Sequence, residues 1–149
     1  MQESHTVGQK DLEAIAERVV YLLSQDKRDR ASVVLLEGDM GAGKTTFTQI
    51  LAKYLGVSEN VNSPTFILKK EYKTPHNNFT KVVHIDAYRF VHPKEAKVLR
   101  LEDDLENRET IVVIEWPSKM NYIKADVKLS FEVIDDDTRE VTLTYEKDI

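Results

Sequence analysis

Apolar residues in the first half of the chain alternate between helical spacing and short continuous runs. Residues 10–25 carry apolar side chains three and four positions apart, which predicts an amphipathic helix. Residues 32–36 form a nearly continuous apolar run, which is typical of a strand buried on both faces of a parallel sheet. A second helix is predicted over about residues 44–55, and Gly56 suits its C-terminal end.

The middle of the chain repeats this alternation. The segment from Thr65 to Tyr72 alternates enough to predict a strand. Two further apolar runs, at residues 82–85 and 111–114, predict buried strands. Between these runs, Pro93 is expected to open a helical stretch that continues through Leu101.

The C-terminal part has a different period. Every second residue is apolar over residues 127–133 and again over 141–145, on either side of a polar turn at 135–138. This pattern predicts a hairpin with one buried face. The fold class expected is therefore α/β, with a mostly parallel central sheet flanked by helices and a C-terminal antiparallel hairpin. We find no repeat or long linker, so residues 1–149 are expected to form a single domain.

Composition and charge narrow the functional classes. With 41% hydrophobic and 32% charged residues, the 149-residue chain has the balance of a globular protein, and neither a membrane span nor a signal segment is expected. It has no cysteine, which excludes disulfides and thiolate zinc sites. A net charge of −5 disfavours a broad nucleic-acid surface, so any such role is expected to be indirect. The expected location is the cytoplasm.

A phosphate-binding loop lies between the first predicted strand and the second helix. It matches the pattern GxxxxGK[ST] and consists of Gly38, Asp39, Met40, Gly41, Ala42, Gly43, Lys44 and Thr45. The glycines let backbone N–H groups turn towards phosphate, and the helix start adds further donors. Lys44 is expected at the terminal phosphates and the Thr45 hydroxyl at magnesium. The motif predicts a P-loop NTPase fold that takes ATP and Mg²⁺.

Two carboxylates directly follow predicted strands. Asp86 ends the run at residues 82–85, and Glu115 ends the run at residues 111–114. In a parallel sheet, ligands bind beyond the carboxyl ends of the strands, so both acids are expected to face the metal or the attacking water. Spacing alone leaves open which of them is the direct metal ligand. Lys44, Asp86 and Glu115 are the predicted catalytic residues.

Several other residues near these strands are candidates for nucleotide sensing or partner contact. They are Ser63, Thr65, Tyr88, Arg89 and Trp116. His84 shares a strand face with Asp86, although a histidine in an apolar strand is more often a packed residue than a ligand. Adenine recognition stays open, with residues 6–9 as one segment that could cover the base.

Four blocks in fixed order resemble one protein family. They are residues 38–46, Ser-Pro-Thr-Phe at 63–66, His-Ile-Asp-Ala-Tyr-Arg at 84–89, and Ile-Glu-Trp-Pro at 114–117. Together they are similar to the TsaE (YjeE-like) family, the small bacterial ATPases of the tRNA threonylcarbamoyladenosine pathway. The likeness extends from the first helix to about Pro117 and more weakly through the final hairpin.

The resemblance implies an accessory Mg-dependent ATPase with low intrinsic activity. It would act on a complex of TsaD-like and TsaB-like subunits that transfers threonylcarbamoyl to the adenosine beside the anticodon, and it would meet tRNA only through them. By matching position, Asp86 and Glu115 correspond to acids at the metal site, and Trp116 to an aromatic important for activity. Thr46 extends the loop, and Arg139 matches a weaker position near the nucleotide.

One segment departs from the family pattern. Residues 98–104 lack the glycine that the family usually shows there, which puts any partner contact made by this turn in doubt.

Three other functions remain possible on sequence grounds. A small-molecule kinase is the main alternative, although Arg100 followed by a dense acidic run makes a poor lid. A GTP-binding switch would need a guanine-reading Asn/Thr-Lys-x-Asp segment, which the chain lacks. A nucleotide-sensing module with negligible hydrolysis differs little from the ATPase.

Overall fold

The structure is a computed structural model that describes residues 2–8, 11–25, 29–38, 43–58, 69–86, 100–115 and 125–145. Within these residues it contains seven strands and three helices. In chain order they are β1 Gln2–Val7, α1 Leu12–Gln25, β2 Ser32–Gly38, α2 Lys44–Tyr54, β3 Lys69–Lys73, β4 Lys81–Asp86, α3 Leu101–Leu105, β5 Thr110–Glu115, β6 Val127–Val133 and β7 Arg139–Tyr145. In this part of the chain no helix has the length and apolar character needed to cross a membrane.

All seven strands belong to one sheet in the order β1-β7-β6-β2-β5-β4-β3. The four central strands, β6, β2, β5 and β4, are parallel to one another. The outer pairings, β3 with β4, β6 with β7 and β7 with β1, are antiparallel. The expected α/β class with a parallel centre and a C-terminal hairpin is confirmed. The first strand of that hairpin also joins the parallel part through β2.

Each face of the sheet packs against its own helices, which explains the continuous apolar runs in the central strands. On one face Val34, Ile111 and Val113 join a core with residues of α1 and α2 such as Leu23 and Phe47. On the opposite face alternate residues of the same strands pack with α3. They are Val33 and Leu35 of β2, Val83 and Ile85 of β4, and Val112 and Ile114 of β5, which cluster with Leu101 of α3.

The first strand, β1, was not predicted from the sequence. It pairs antiparallel with β7 along its whole length, from Gln2 opposite Thr144 to Val7 opposite Arg139. Only Val7 is buried, so the strand is held mainly by backbone hydrogen bonds and has no apolar alternation to reveal it. Arg18 of α1 fixes it further by donating to the Glu3 carboxylate at 2.9 Å.

The prediction of a helix from Pro93 through Leu101 is wrong at its C-terminal end. Arg100 has a left-handed backbone with φ of 57°, and a separate helix, α3, starts at Leu101 and continues to Leu105. Tertiary contacts decide this, because Leu101 is buried against the sheet and Asp104 contacts the ammonium of Lys69 at 2.6 Å. The rest of the expected helix lies outside the described residues, as does the first part of the strand expected at residues 65–72.

The end of α2 is as predicted. Gly56 has φ of 99° and its N–H donates to the carbonyl of Lys53 at 3.0 Å. A side chain at this position would also meet the ring of Pro75, because an added Cβ would lie 2.7 Å from Pro75 Cγ. Both the backbone conformation and the available space therefore require glycine here.

Candidate functional site

The candidate site lies where three parallel strands end. β2 ends at Gly38, β4 ends at Asp86 and β5 ends at Glu115. The strand register places Asp86 directly opposite Glu115, and Glu115 opposite Leu36, two residues before Gly38. The structure therefore brings both predicted carboxylates to the same edge of the sheet as the phosphate loop, as expected from the parallel arrangement.

Helix α2 starts at this edge. Gly43 precedes the helix with φ of 108°, a left-handed conformation that glycine adopts without strain. An added Cβ would lie 3.9 Å from Phe131, which is ordinary contact, so the conformation rather than the space favours glycine. Lys44 is buried, and its ammonium donates to the carbonyl of Gly38. The loop lysine and the helix N-terminus therefore lie beside the end of β2.

A side-chain hydrogen bond joins α2 to β5. The Thr45 hydroxyl donates to Glu115 Oε1 at 3.0 Å. Glu115 is only 4% exposed and Asp86 7% exposed, so both carboxylates are largely removed from water. Burial of a carboxylate is costly unless donors or a cation compensate it. The hydrogen bond of Thr45 is one such compensation for Glu115.

The oxygen atoms at this edge of the sheet suit magnesium as ligands. A hydroxyl and two carboxylates offer hard oxygen atoms, which are the ligands that Mg²⁺ takes beside phosphate and water. Thr45, Asp86 and Glu115 would be the residues to hold it. Among the described residues, no three His, Asp or Glu side chains form a cluster that would hold a metal ion by themselves.

His84 is the fourth polar residue at this place. It is fully buried, and its Nε2 lies 3.4 Å from Glu115 Oε1, the oxygen that also accepts from Thr45. Neither ring nitrogen makes a well-formed hydrogen bond within the described part of the chain. The sequence indicated that His84 and Asp86 share a strand face, but not the contact with Glu115.

A cleft of about 1100 Å³ opens beside the start of α2. Gly43 and Thr46 form one side of it, next to the phosphate loop. The junction between β1 and α1, at Gly8 and Asp11, forms a second side. The hairpin turn before β7 completes it with Asp136, Asp137 and Arg139, and the half-exposed ring of Tyr54 also lines the space.

The hairpin turn beside this cleft is tightly hydrogen-bonded. The Arg139 guanidinium donates to the carbonyls of Asp135 at 2.6 Å and Thr138 at 3.1 Å. The backbone N–H of Asp137 donates to the Asp135 carboxylate, and this bond lowers the pKa of Asp135. Arg139 is therefore held at the cleft by its own turn, and its approach to a nucleotide stays a prediction.

The remaining predicted site residues lie outside the described part of the chain. They are Asp39, Met40, Gly41, Ala42, Ser63, Thr65, Tyr88, Arg89 and Trp116. Conversely, sequence reasoning missed the contributions of Tyr54, Asp136 and Asp137 to the cleft. Tyr54 lies in the predicted second helix and the two acids lie in the predicted polar turn, so only the tertiary arrangement shows that they line the cleft.

Known proteins resemble this chain over most of its length. The family model described as "Threonylcarbamoyl adenosine biosynthesis protein TsaE" matches residues 6–141. The chain is 38% identical over 118 residues to a tRNA threonylcarbamoyladenosine biosynthesis protein TsaE from Rickettsia bellii, covering 77% of this chain and 78% of that protein. It is 33% identical over 141 residues to the TsaE of Bacillus subtilis, covering 93% and 82%.

A solved structure gives the same result at the level of the fold. The crystal structure of Bacillus subtilis YdiB superposes with a TM-score of 0.70 at 27% sequence identity, and the match covers 97% of this chain and 86% of YdiB. The region that the family model matches, residues 6–141, includes the loop, both strand-end carboxylates and most of the hairpin. The chain therefore belongs to the TsaE family of threonylcarbamoyl adenosine biosynthesis proteins.

Proposed function

We propose that this protein is a Mg-dependent ATPase of low intrinsic activity that assists the installation of threonylcarbamoyl on the tRNA adenosine next to the anticodon. The observation that carries the ATPase part is the hydrogen bond between Thr45 and Glu115 beside the buried ammonium of Lys44. It joins the start of the loop helix to a strand-end carboxylate, which is the pairing that a phosphate-bound magnesium needs.

Each residue at the sheet edge has a role in this proposal. Lys44 neutralises charge on the terminal phosphates, and the backbone N–H groups at the start of α2 donate to phosphate oxygens. Thr45, Asp86 and Glu115 hold the magnesium and orient the attacking water. The metal supplies charge neutralisation at the phosphates. Phosphoryl transfer depends mainly on such positioning, so no strong general base is required.

The cleft beside α2 is the place we propose for the nucleoside. It adjoins Gly43 and Thr46, so a triphosphate at the loop would lead directly into it. The ring of Tyr54 offers an apolar surface of the kind that an adenine needs, and Gly8 leaves the β1–α1 side of the cleft without a side chain at that point. Arg139, the first residue of β7, lies on the same side as Gly8, because its backbone pairs with Val7 at the end of β1.

Family membership supports the partners that we propose. The relatives are named as tRNA threonylcarbamoyladenosine biosynthesis proteins. We propose that this chain acts on TsaD-like and TsaB-like subunits, in the cytoplasm and as a single domain over residues 1–149. The net charge of −5 supports an indirect relation to tRNA, since direct binding to a phosphate backbone favours a basic surface.

Two measurements test the proposal. Calorimetry of the purified protein with ATP and magnesium should give binding, and addition of the cognate TsaD–TsaB pair should raise the rate of phosphate release. Absence of stimulation or of nucleotide-dependent association with the pair would remove the tRNA-modification role while leaving the ATPase. Stoichiometric transfer of phosphate to an added small molecule rather than to water would instead favour the kinase.

A further inference from the structure

A histidine lies among the apolar residues of β4 directly behind the candidate site. His84 is fully buried in β4, which lies between β3 and β5 in the sheet. Its neighbours Val82, Val83 and Ile85 are all apolar. Since alternate residues of a strand share a face, His84 lies on the face of Asp86. The strand register places Val113 opposite His84 and Glu115 opposite Asp86, so Glu115 lies on that face as well.

The packing alone does not explain this histidine. A buried polar group that lacks a good hydrogen-bond partner destabilises a folded protein. Both ring nitrogens of His84 are buried and make no well-formed hydrogen bond to the described residues. An apolar residue would pack at this position without the cost. The feature that distinguishes the position is the carboxylate of Glu115, whose Oε1 lies 3.4 Å from Nε2.

The same carboxylate oxygen has two nearby donors. Thr45 donates to Glu115 Oε1 at 3.0 Å, whereas the His84 contact is slightly longer than the usual N–H···O range of about 2.7–3.2 Å. If the Thr45 hydroxyl turned towards a nucleotide, Glu115 would lose this hydrogen bond. A movement of a few tenths of an ångström, judged against that usual range, would bring the His84 N–H into hydrogen-bonding distance.

We propose that His84 is a positioning residue that donates from Nε2 to Glu115 Oε1 and so holds the carboxylate towards the loop helix. It does not touch the nucleotide, and it acts only through Glu115. Hydrogen bonds of this kind behind a ligand typically change affinity or activity by about 10–100-fold. The effect on turnover rests on the proposed ATPase function, but the contact between His84 and Glu115 does not.

A pair of variants tests the effect on turnover. His84→Leu keeps an apolar filling but removes the donor, whereas His84→Gln places an amide N–H near the position of Nε2. We expect His84→Leu to lower kcat about tenfold or more with little change in KM for ATP, and His84→Gln to recover most of the rate. Circular dichroism and calorimetry with ATP verify that each variant is folded and binds nucleotide.

A spectroscopic measurement tests the contact without any turnover. Nitrogen-15 NMR of the histidine rings should show the proton of His84 on Nε2, and the Nε2 resonance should shift in Glu115→Ala. A proton on Nδ1 in the wild-type protein, or a resonance that is unchanged in Glu115→Ala, would overturn the proposal. The NMR measurement also tests the contact between His84 and Glu115 if His84→Leu does not fold.

The kinetic outcomes are equally decisive. Wild-type turnover in His84→Leu would contradict the proposal, as would equal losses in His84→Leu and His84→Gln while both still bind ATP. Absence of hydrolysis by the wild-type protein, alone and with its cognate subunits, would remove the proposed ATPase function instead. The NMR result would then still establish or exclude the hydrogen bond from His84.

Discussion

Asp86 and Glu115 face each other across the pairing of β4 and β5, and each is the last residue of its strand. Both are more than nine-tenths buried, although each carries an ionisable carboxyl group. Two carboxylates so placed repel each other, and a bound cation relieves that repulsion. Glu115 also holds the side chain of Thr45. This pair and the lysine of the loop helix are therefore the first targets for substitution.

Replacement of the loop lysine should weaken nucleotide binding and abolish hydrolysis. In Lys44→Ala the buried ammonium beside Gly38 is lost, and with it the charge that neutralises the terminal phosphates. We expect at least a tenfold weaker affinity for ATP by calorimetry and no measurable hydrolysis. Lys73→Ala is the matched control because Lys73 is exposed on β3. Equal affinities for the wild type and Lys44→Ala would exclude Lys44 from the site.

Replacement of Glu115 should separate binding from hydrolysis. Glu115→Gln keeps the shape of the side chain but removes its charge, so we expect ATP to bind while the rate of phosphate release falls about 100-fold. Glu109→Gln, at an exposed position just before β5, should hydrolyse at the wild-type rate. If Glu115→Gln also turned over normally, the assignment of Glu115 to the mechanism would be wrong.

An ion pair before β2 should contribute strongly to stability. Arg30 donates twice to Asp126, at 3.0 and 2.8 Å, and the same carboxylate accepts from the N–H of Val33. Asp126 is 7% exposed, so Asp126→Ala removes the acceptor of the buried Val33 N–H and of two Arg30 donors, although Arg30 keeps its bond to the carbonyl of Ala31. The free energy of unfolding should fall by about 1–3 kcal/mol in urea denaturation.

The chain offers a matched control for that ion pair. Arg108 and Asp29 are 3.8 Å apart and both exposed, so Arg108→Ala should change the free energy of unfolding by less than about 0.5 kcal/mol. Similar losses in Arg108→Ala and Asp126→Ala would show that burial does not set the strength of these pairs.

The glycine after α2 should resist substitution. Gly56→Ala adds a Cβ in a left-handed conformation and against the ring of Pro75, so we expect the free energy of unfolding to fall by about 1–3 kcal/mol. Combination with Pro75→Ala separates the two causes in a double-mutant cycle. If the ring contributes, Gly56→Ala costs less in the Pro75→Ala background, and an unchanged cost would assign the whole effect to the backbone.

The attachment of β1 to α1 should depend on pH. The hydrogen bond from Arg18 lowers the pKa of Glu3 below its ordinary value of 4.5. A carboxyl group with a lowered pKa in the folded state stabilises the protein above its unfolded pKa, and this contribution is lost as the pH falls through the folded value. Glu3→Gln should therefore be less stable than the wild type at pH 7, by about 0.2–1 kcal/mol, but not at pH 2. A stability difference that stayed constant with pH would contradict this origin.

The sequence predicted the elements that are marked by a local pattern of apolar residues or by a motif. The strands β2, β4 and β5 are buried on both faces, so their apolar runs are unambiguous, and Asp86 and Glu115 directly follow two of these runs. The loop motif likewise depends on local backbone requirements at Gly43 and Lys44. These features are local in the chain, and pattern reasoning therefore located them correctly.

Features that depend on distant contacts were not predictable in the same way. β1 is defined by its pairing with β7, and Leu101 begins α3 because it packs on the sheet and not because of helical spacing before it. The contact of His84 with Glu115 required the strand register, which a single sequence does not provide. Each of these misses concerns a partner far away along the chain.

The pairing of β1 with β7 has a consequence for the order in which the site can assemble. The phosphate side of the site is built from α2 and the strands β2, β4 and β5, whereas the opposite side of the cleft needs the first described residues to meet the last hairpin. Contacts between the two ends of a chain close the largest loop and carry the greatest entropic cost. During refolding, protection of the β1 amides from hydrogen exchange should therefore appear after that of β2 and β5.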